Sequence, residues 1–181
     1  AVATGAGQIK TGSVCRSDER PDTQTNFLFE QTLATQALER GVVFKRFPRL
    51  KIVVVHCGGA LSRFLPRDVA ESGEEGGGQT GTAVERTSRG QRYDVSNNLF
   101  FDTCAYEKWF LMTAFKQRGI RRMLFGTETP GSGTNARNPE TGRPGDDLVP
   151  VIDDIDFLTP QDKQWVFYDG PRAVFPLLKV D

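Results

Sequence analysis

Three short apolar runs stand out in the hydrophobic pattern, and each leads into polar or glycine-rich residues. Residues 51–55 lead into His56, residues 98–102 form the second run, and residues 122–126 lead towards Glu128. Runs of this length are too short for helices and are typical of buried strands in a parallel sheet. The pattern therefore predicts three parallel, adjacent strands at these positions.

Helical periodicity fills much of the sequence between and around the predicted strands. The predicted helical segments cover residues 25–40, 42–47, 61–69, 108–118, 147–156, a helix starting at Thr159-Pro160-Gln161-Asp162, and 173–178. Alternation of helices with apolar strands is typical of a parallel sheet with helical crossovers. The sequence therefore predicts an α/β fold.

Two segments lack this pattern. Residues 1–24 are polar apart from a brief apolar stub at Ser13-Val14-Cys15, and residues 70–92 are rich in Gly, Glu and Ser. Such composition cannot bury enough apolar surface to offset the entropy lost on ordering. We expect residues 70–92 to be a flexible insertion in a domain that covers residues 25–181.

Composition excludes several classes of function. The 181 residues include 23 basic and 23 acidic side chains, so no charge excess favours nucleic acid or an anionic membrane. The three cysteines (Cys15, Cys57 and Cys104) are widely spaced, which fits a reducing compartment, and we expect a cytoplasmic protein. The first residue is not Met, which is compatible with a start inside a longer protein.

His56 and Glu128 are the principal candidates for a site. His56 is the only histidine of the chain, and each of the two follows a predicted strand. The carboxyl ends of parallel strands meet at one edge of a sheet, so the two side chains should converge there. Two structural alternatives remain: His56 as a buried packing residue, and Glu128 paired with Arg121 or Arg122.

Several segments together resemble a known family. The segments are Phe47 to Lys51 with His56 to Ala60, Asn98 to Thr103, Met123 to Glu128, the loop at 138–147, and Phe167 to Phe175. In this order they are similar to the amidohydrolase-2 branch of the metal-dependent hydrolase superfamily, which includes decarboxylases and oxalomesaconate hydratase. Glu128 and the 138–147 loop are similar to the hydratase-like members in particular.

The resemblance implies a (β/α)8 TIM barrel of the metal-dependent hydrolase type, of which this chain would be the C-terminal half, about strands 5–8. The family holds one divalent metal, usually zinc, with a His-x-His on strand 1, a His on strand 5 and the acidic residue that ends strand 8. Carried over, Glu128 is the metal ligand and His56 the acid/base residue beside the metal. The other histidines have no counterpart in this sequence, and Cys15 is a candidate replacement.

The remaining polar candidates have less specific signals. Arg63 and Arg67 could bind a substrate carboxylate in a bidentate manner, or belong to a solvated helix face. Asp102 is expected to orient a neighbouring group rather than to bind metal. Cys57 and Cys104 are expected to be small buried packing residues.

The sequence thus suggests a lyase or hydrolase of this family: a decarboxylase or hydratase that acts on a small unsaturated or aromatic carboxylic acid. The alternative is a non-catalytic half-barrel remnant that lacks the strand-1 and strand-5 ligands. By itself the chain should hold zinc weakly, because zinc sites need three or more protein ligands. We expect no nucleic-acid or membrane partner, and a homo-oligomer or a separate N-terminal half remains open.

Overall fold

Helices and short strands alternate along the chain in the computed structural model, which describes residues 21–40, 42–61, 84–86, 92–131 and 133–177. The elements in chain order are α1 (Pro21–Arg40), α2 (Val43–Arg46), β1 (Ile52–Val54), β2 (Val84–Arg86), β3 (Arg92–Asp94), β4 (Leu99–Asp102), α3 (Lys108–Arg118), β5 (Met123–Leu124), α4 (Val149–Asp153), α5 (Pro160–Gln164) and α6 (Gly170–Val174). Short 3₁₀ turns at His56–Gly58 and Ile120–Arg122, and a π turn at Trp165–Asp169, complete them. None of the helices in these ranges is long and apolar enough to cross a membrane.

The three predicted strands form one parallel sheet. Its order is β1-β4-β5, with Val53 opposite Phe100 and Phe101 opposite Met123. β4 therefore lies between the strands that precede His56 and Glu128, which confirms the predicted order and direction. The described residues form part of an α/β fold.

Alternating side chains of β4 bury both faces of this sheet. Leu99 and Phe101 belong to the larger core, whereas Phe100 packs on the opposite face in a smaller cluster with Leu124 and Val174. The period of two in side-chain direction explains this division. Helices α3 and α4 contribute to the larger core through Leu111, Phe115, Val151 and Ile152. The sheet thus has helical cover on each face, as an apolar parallel strand requires.

Local sequence signals set several helix ends. The predicted bounds 108–118 match α3, where the Glu107 side chain accepts the N–H groups of Trp109 and Phe110. Gly119 ends α3 with a φ of 85°. At α5, Thr159 and Asp162 form the expected reciprocal capping box.

Other predicted bounds were wrong. α1 begins at Pro21 rather than at residue 25, because proline is well suited to the first turn of a helix. The final helix covers Gly170–Val174 instead of 173–178. Phe175 precedes Pro176, which disfavours helical backbone at that position, and its φ is −118°. Apart from Leu61, the predicted helix at 61–69 lies outside the described residues.

The expected flexible insertion at 70–92 contains a strand that the sequence did not predict. β2 pairs antiparallel with β3, with Val84 opposite Asp94 and Arg86 opposite Arg92. The composition of residues 70–92 as a whole is rich in glycine, so it gave no indication of the short strand within this segment. The rest of that range lies outside the described residues, as does Cys15.

Candidate metal and acid–base site

The backbone after β1 is unusual at four consecutive residues. His56 and Cys57 have φ values of 53° and 56°, and Gly58 and Gly59 follow at 77° and 83°. A positive φ is uncommon for residues with a Cβ, and such strain is often found at functional sites. The turn places the imidazole of His56 at the carboxyl edge of the sheet.

Arg118 and Thr35 hold this strained turn in place. The Arg118 guanidinium donates to the carbonyls of Cys57 at 3.0 Å and Gly58 at 3.1 Å, and it lies over the ring of Phe101. The Thr35 hydroxyl donates to the Gly58 carbonyl at 2.9 Å. The carbonyls exposed by the turn therefore have partners, which lets the unusual conformation persist.

Glu128 reaches the same point from β5. Its φ is 62°, and its Oε2 lies 3.5 Å from Nε2 of His56. The side chain of Glu128 is 45% exposed and that of His56 is 31% exposed, so both are open to a small molecule from solvent. Arg122, an alternative partner for Glu128, lies instead 3.8 Å from Glu39 and donates to the Leu99 carbonyl. The structure thus brings together the two residues that the strand ends predicted.

Cys104 is buried, as the sequence predicted, and it also lies beside these two residues. It is buried two residues beyond β4, and its Sγ lies 3.8 Å from Oε2 of Glu128. One ligand atom from each of His56, Cys104 and Glu128 lies within 4.8 Å of the others. The signal that could have found Cys104 was its position: it follows the middle strand, at the same edge of the sheet.

Tyr106 also contacts the site, although sequence reasoning did not single it out. Its hydroxyl donates to Oε2 of Glu128 at 3.1 Å and accepts the N–H of Gly133 at 3.2 Å. The two bonds run in one direction, from backbone to tyrosine to carboxylate. Tyr106 therefore orients the carboxylate that faces His56.

Asp102 links the two loops that carry the site. Its Oδ1 accepts the N–H of Cys57 at 3.2 Å and that of Cys104 at 3.1 Å. Burial raises the pKa of Asp102 to about 6, and the backbone hydrogen bonds partly oppose that rise. Asp102 thus contacts backbone amides of both loops.

Burial also raises the pKa values of the two described thiols. It raises the pKa of Cys104 to about 12, and the charge of Asp102 adds to the rise. The pKa of Cys57 is raised by the same two causes in the same order. Cys104 is therefore a neutral thiol at pH 7 unless a cation stabilises the thiolate.

The three donors fit a divalent metal by their chemistry. Imidazole nitrogen, thiolate sulfur and carboxylate oxygen are all ligands that zinc takes in proteins. Cys104 and Glu128 could therefore bind a metal with His56 beside them, and the carboxylate is open to solvent. Arg63, Arg67 and Cys15, the other predicted candidates, lie outside the described residues.

Comparison with known proteins defines the class. Residues 12–177 match the family model Amidohydro_2, described as amidohydrolase, and the chain therefore belongs to this family. Its members are metal-dependent enzymes with TIM-barrel folds. No curated protein matches the chain.

Solved structures give the particular relatives. The chain is similar to 4-oxalomesaconate hydratase, LigJ, from Rhodopseudomonas palustris, with 27% identity and a TM-score of 0.65 over 85% of this chain and 43% of that one. An amidohydrolase II matches with 19% identity and a TM-score of 0.57 over 89% and 47% of the two chains. The IDCase of Metarhizium anisopliae matches with 20% identity and a TM-score of 0.51 over 83% and 40%. The chain thus spans less than half the length of each of these proteins.

Proposed function

We propose that this chain forms the C-terminal half, about strands 5–8, of a metal-dependent amidohydrolase barrel. The whole protein would be a lyase that adds water to, or removes carbon dioxide from, a small unsaturated or aromatic carboxylic acid. Hydration is favoured, because the hydratase LigJ combines the highest identity with the highest TM-score of the three relatives described above.

The observation that carries the proposal is the 3.5 Å approach of His56 Nε2 to Glu128 Oε2, at the carboxyl edge of three parallel strands. Catalytic residues of αβ barrels come from the ends of several strands at this face. Two of the three non-glycine residues with positive φ in the described part of the chain are His56 and Glu128. Strain of this kind is retained where a site needs a fixed geometry.

Glu128 and Cys104 are the proposed metal ligands of this half, and zinc is the proposed metal. When bound, the metal supplies Lewis acidity for an oxygen of the substrate. Tyr106 restricts the rotation of the Glu128 carboxylate, and Asp102 fixes the backbone that carries Cys104. The strand-1 ligands of the family would come from the other half of the barrel, and Cys15 is the candidate for the strand-5 position of this half.

His56 is the proposed acid/base residue. Imidazole can both give and take a proton near neutral pH, which suits protonation of a carbon next to a carboxylate. In decarboxylation the electron pair of the broken C–C bond stays on that carbon, and His56 donates the proton. In hydration His56 donates a proton to one alkene carbon, and the water that adds to the other carbon returns a proton to the imidazole, so that the ring ends in its starting state. The nearby Glu128 carboxylate stabilises the protonated imidazole.

The reaction is tested with the full protein that contains this chain, supplied with oxalomesaconate in ¹⁸O-labelled water. Hydration incorporates one ¹⁸O into the product without release of carbon dioxide. Decarboxylation, tested with other small acids, releases carbon dioxide. His56→Gln should abolish either reaction, while Gln36→Ala, at an exposed position of α1, should not. Full activity of His56→Gln would contradict the assigned role.

The metal is tested by calorimetric titration of the 181-residue chain with zinc. Glu128→Gln should weaken binding at least about tenfold, and Glu140→Gln, an exposed carboxylate outside the cluster, should not. Cys104→Ser should also weaken it, with Cys57→Ser as the matched buried control. Zinc binding unaffected by both site variants, or absent from the full protein, would favour the non-catalytic remnant.

A further inference from the structure

Helix α1 contacts the strained turn through three side chains. Thr35 donates to Gly58, and the Thr32 hydroxyl accepts the N–H of Ala60 at 2.7 Å. The third is Gln31, whose Nε2 lies 2.6 Å from Nδ1 of His56. The family resemblance assigned no residue of α1 to the site, and Gln31 carried no signal in the sequence. Among the residues that the structure describes, Gln31 is the side chain that contacts Nδ1 of His56.

The direction of this hydrogen bond has a consequence for the imidazole. An amide nitrogen donates, so Nδ1 accepts and carries no proton in the neutral ring. The ring proton then lies on Nε2, and Nε2 faces Oε2 of Glu128. A neutral histidine with this tautomer presents a hydrogen-bond donor to the site rather than a lone pair.

The carbonyl oxygen of the Gln31 side chain lies in different surroundings from the amide nitrogen. Its Oε1 is buried and accepts no hydrogen bond from the residues that the structure describes. A half-turn of the carboxamide would bring this oxygen to Nδ1, where it would accept the Nδ1 proton of a protonated ring. The amide can therefore hold the neutral ring, in which Nδ1 accepts a hydrogen bond, and the imidazolium, in which Nδ1 donates one.

We propose that Gln31 is the positioning residue of His56: its carboxamide holds the ring through Nδ1 and places the proton of the neutral ring on Nε2, directed at Glu128. The proposal rests on the acid/base role given to His56 above and extends it. It explains why a residue of α1 contacts a turn that the strand already positions. Glutamate, which only accepts, or methionine, which does neither, could not do the same.

The single histidine makes the test direct. Protein labelled with ¹⁵N-histidine gives one imidazole in an NMR spectrum, and its two-bond ¹⁵N–¹H correlations distinguish the two tautomers. In the zinc-free 181-residue chain, recorded at a pH at which the spectrum itself shows a neutral ring, the Nε2–H form should predominate. Gln31→Glu should shift the ratio towards Nδ1–H by at least about tenfold, because a carboxylate accepts but cannot donate.

Two further variants keep the test decisive. Gln36→Glu adds the same charge to an exposed position of α1 and should leave the ratio unchanged. Gln31→Met removes the partner of Nδ1 while keeping the side-chain length, and should reduce the Nε2–H excess even if Gln31→Glu folds poorly. Equal ratios in wild type, Gln31→Glu and Gln31→Met, or a predominant Nδ1–H form in wild type, would overturn the proposal. These spectra need neither zinc nor turnover, so failure of the proposed function would appear separately, in the titration and the isotope assay.

Discussion

Replacement of Gly59 by alanine tests whether the turn that carries His56 depends on close backbone approach. Gly59 has φ 83° and ψ −148°, a region that is nearly confined to glycine, and occupation by another residue costs on the order of 1–3 kcal/mol. An added Cβ would lie 2.5 Å from the backbone nitrogen of Thr32 and 2.7 Å from the carbonyl oxygen of Leu28. Neither backbone atom of α1 can rotate away, so overpacking adds roughly 1–3 kcal/mol.

The sum is a loss of about 4 kcal/mol in the free energy of unfolding for Gly59→Ala. Gly142→Ala is the matched control, because Gly142 also has a positive φ, 67°, but an added Cβ there meets nothing within 4 Å. Only backbone strain remains at that position, and it costs about 1–2 kcal/mol. The difference between the two variants isolates the contact with α1.

Urea unfolding followed by tryptophan fluorescence measures both losses, since the chain has two tryptophans. For a chain of this size, a loss of about 4 kcal/mol lowers the melting temperature by roughly 8–16 °C. If Gly59→Ala were no less stable than Gly142→Ala, the packing of the turn against α1 would be wrong. Gly59 thus permits the close approach of α1, and Gly58 lies against Phe101 and Thr35.

Substitutions at three other positions test the supports of the site and of the fold. Because the pKa of Asp102 rises from 3.8 to about 6 on folding, the folded state binds more protons between these values, and stability falls by roughly 3 kcal/mol as pH rises through that window. The zinc-free Asp102→Asn variant should lack this loss of stability. Urea unfolding midpoints of the wild type and the variant at pH 4 and pH 7 measure it, and an equal change with pH in both proteins would refute the reasoning. Arg118→Met should cost about 2–3 kcal/mol in urea unfolding, because it removes charged donors from two carbonyls of the turn, and Arg118→Lys should restore less than half. Thr159→Ala should cost about 1 kcal/mol through loss of the capping box, whereas Thr159→Ser should retain most of it, and equal loss in both would argue against the cap.

The sequence by itself determined the parts of this protein that depend on local physics. Apolar runs of strand length predicted β1, β4 and β5, because a strand buried on both faces must be apolar throughout. Helical periodicity predicted residues 108–118, the bounds of α3, and Thr159-Pro160-Gln161-Asp162 predicted the start of α5. The carboxyl-edge argument predicted that His56 and Glu128 meet, because it needs only the strand direction and not the side-chain packing.

Only the tertiary structure decided which other side chains surround these two. Cys104 looked like a packing residue because a buried cysteine has the same local pattern whether it packs or binds. Gln31 and Tyr106 carry no motif, since their contacts with His56 and Glu128 span 25 and 22 residues of chain. Such contacts depend on how α1 and the loop after β4 pack against the sheet edge. That packing is set by the fit of whole elements to one another, which no short stretch of sequence encodes.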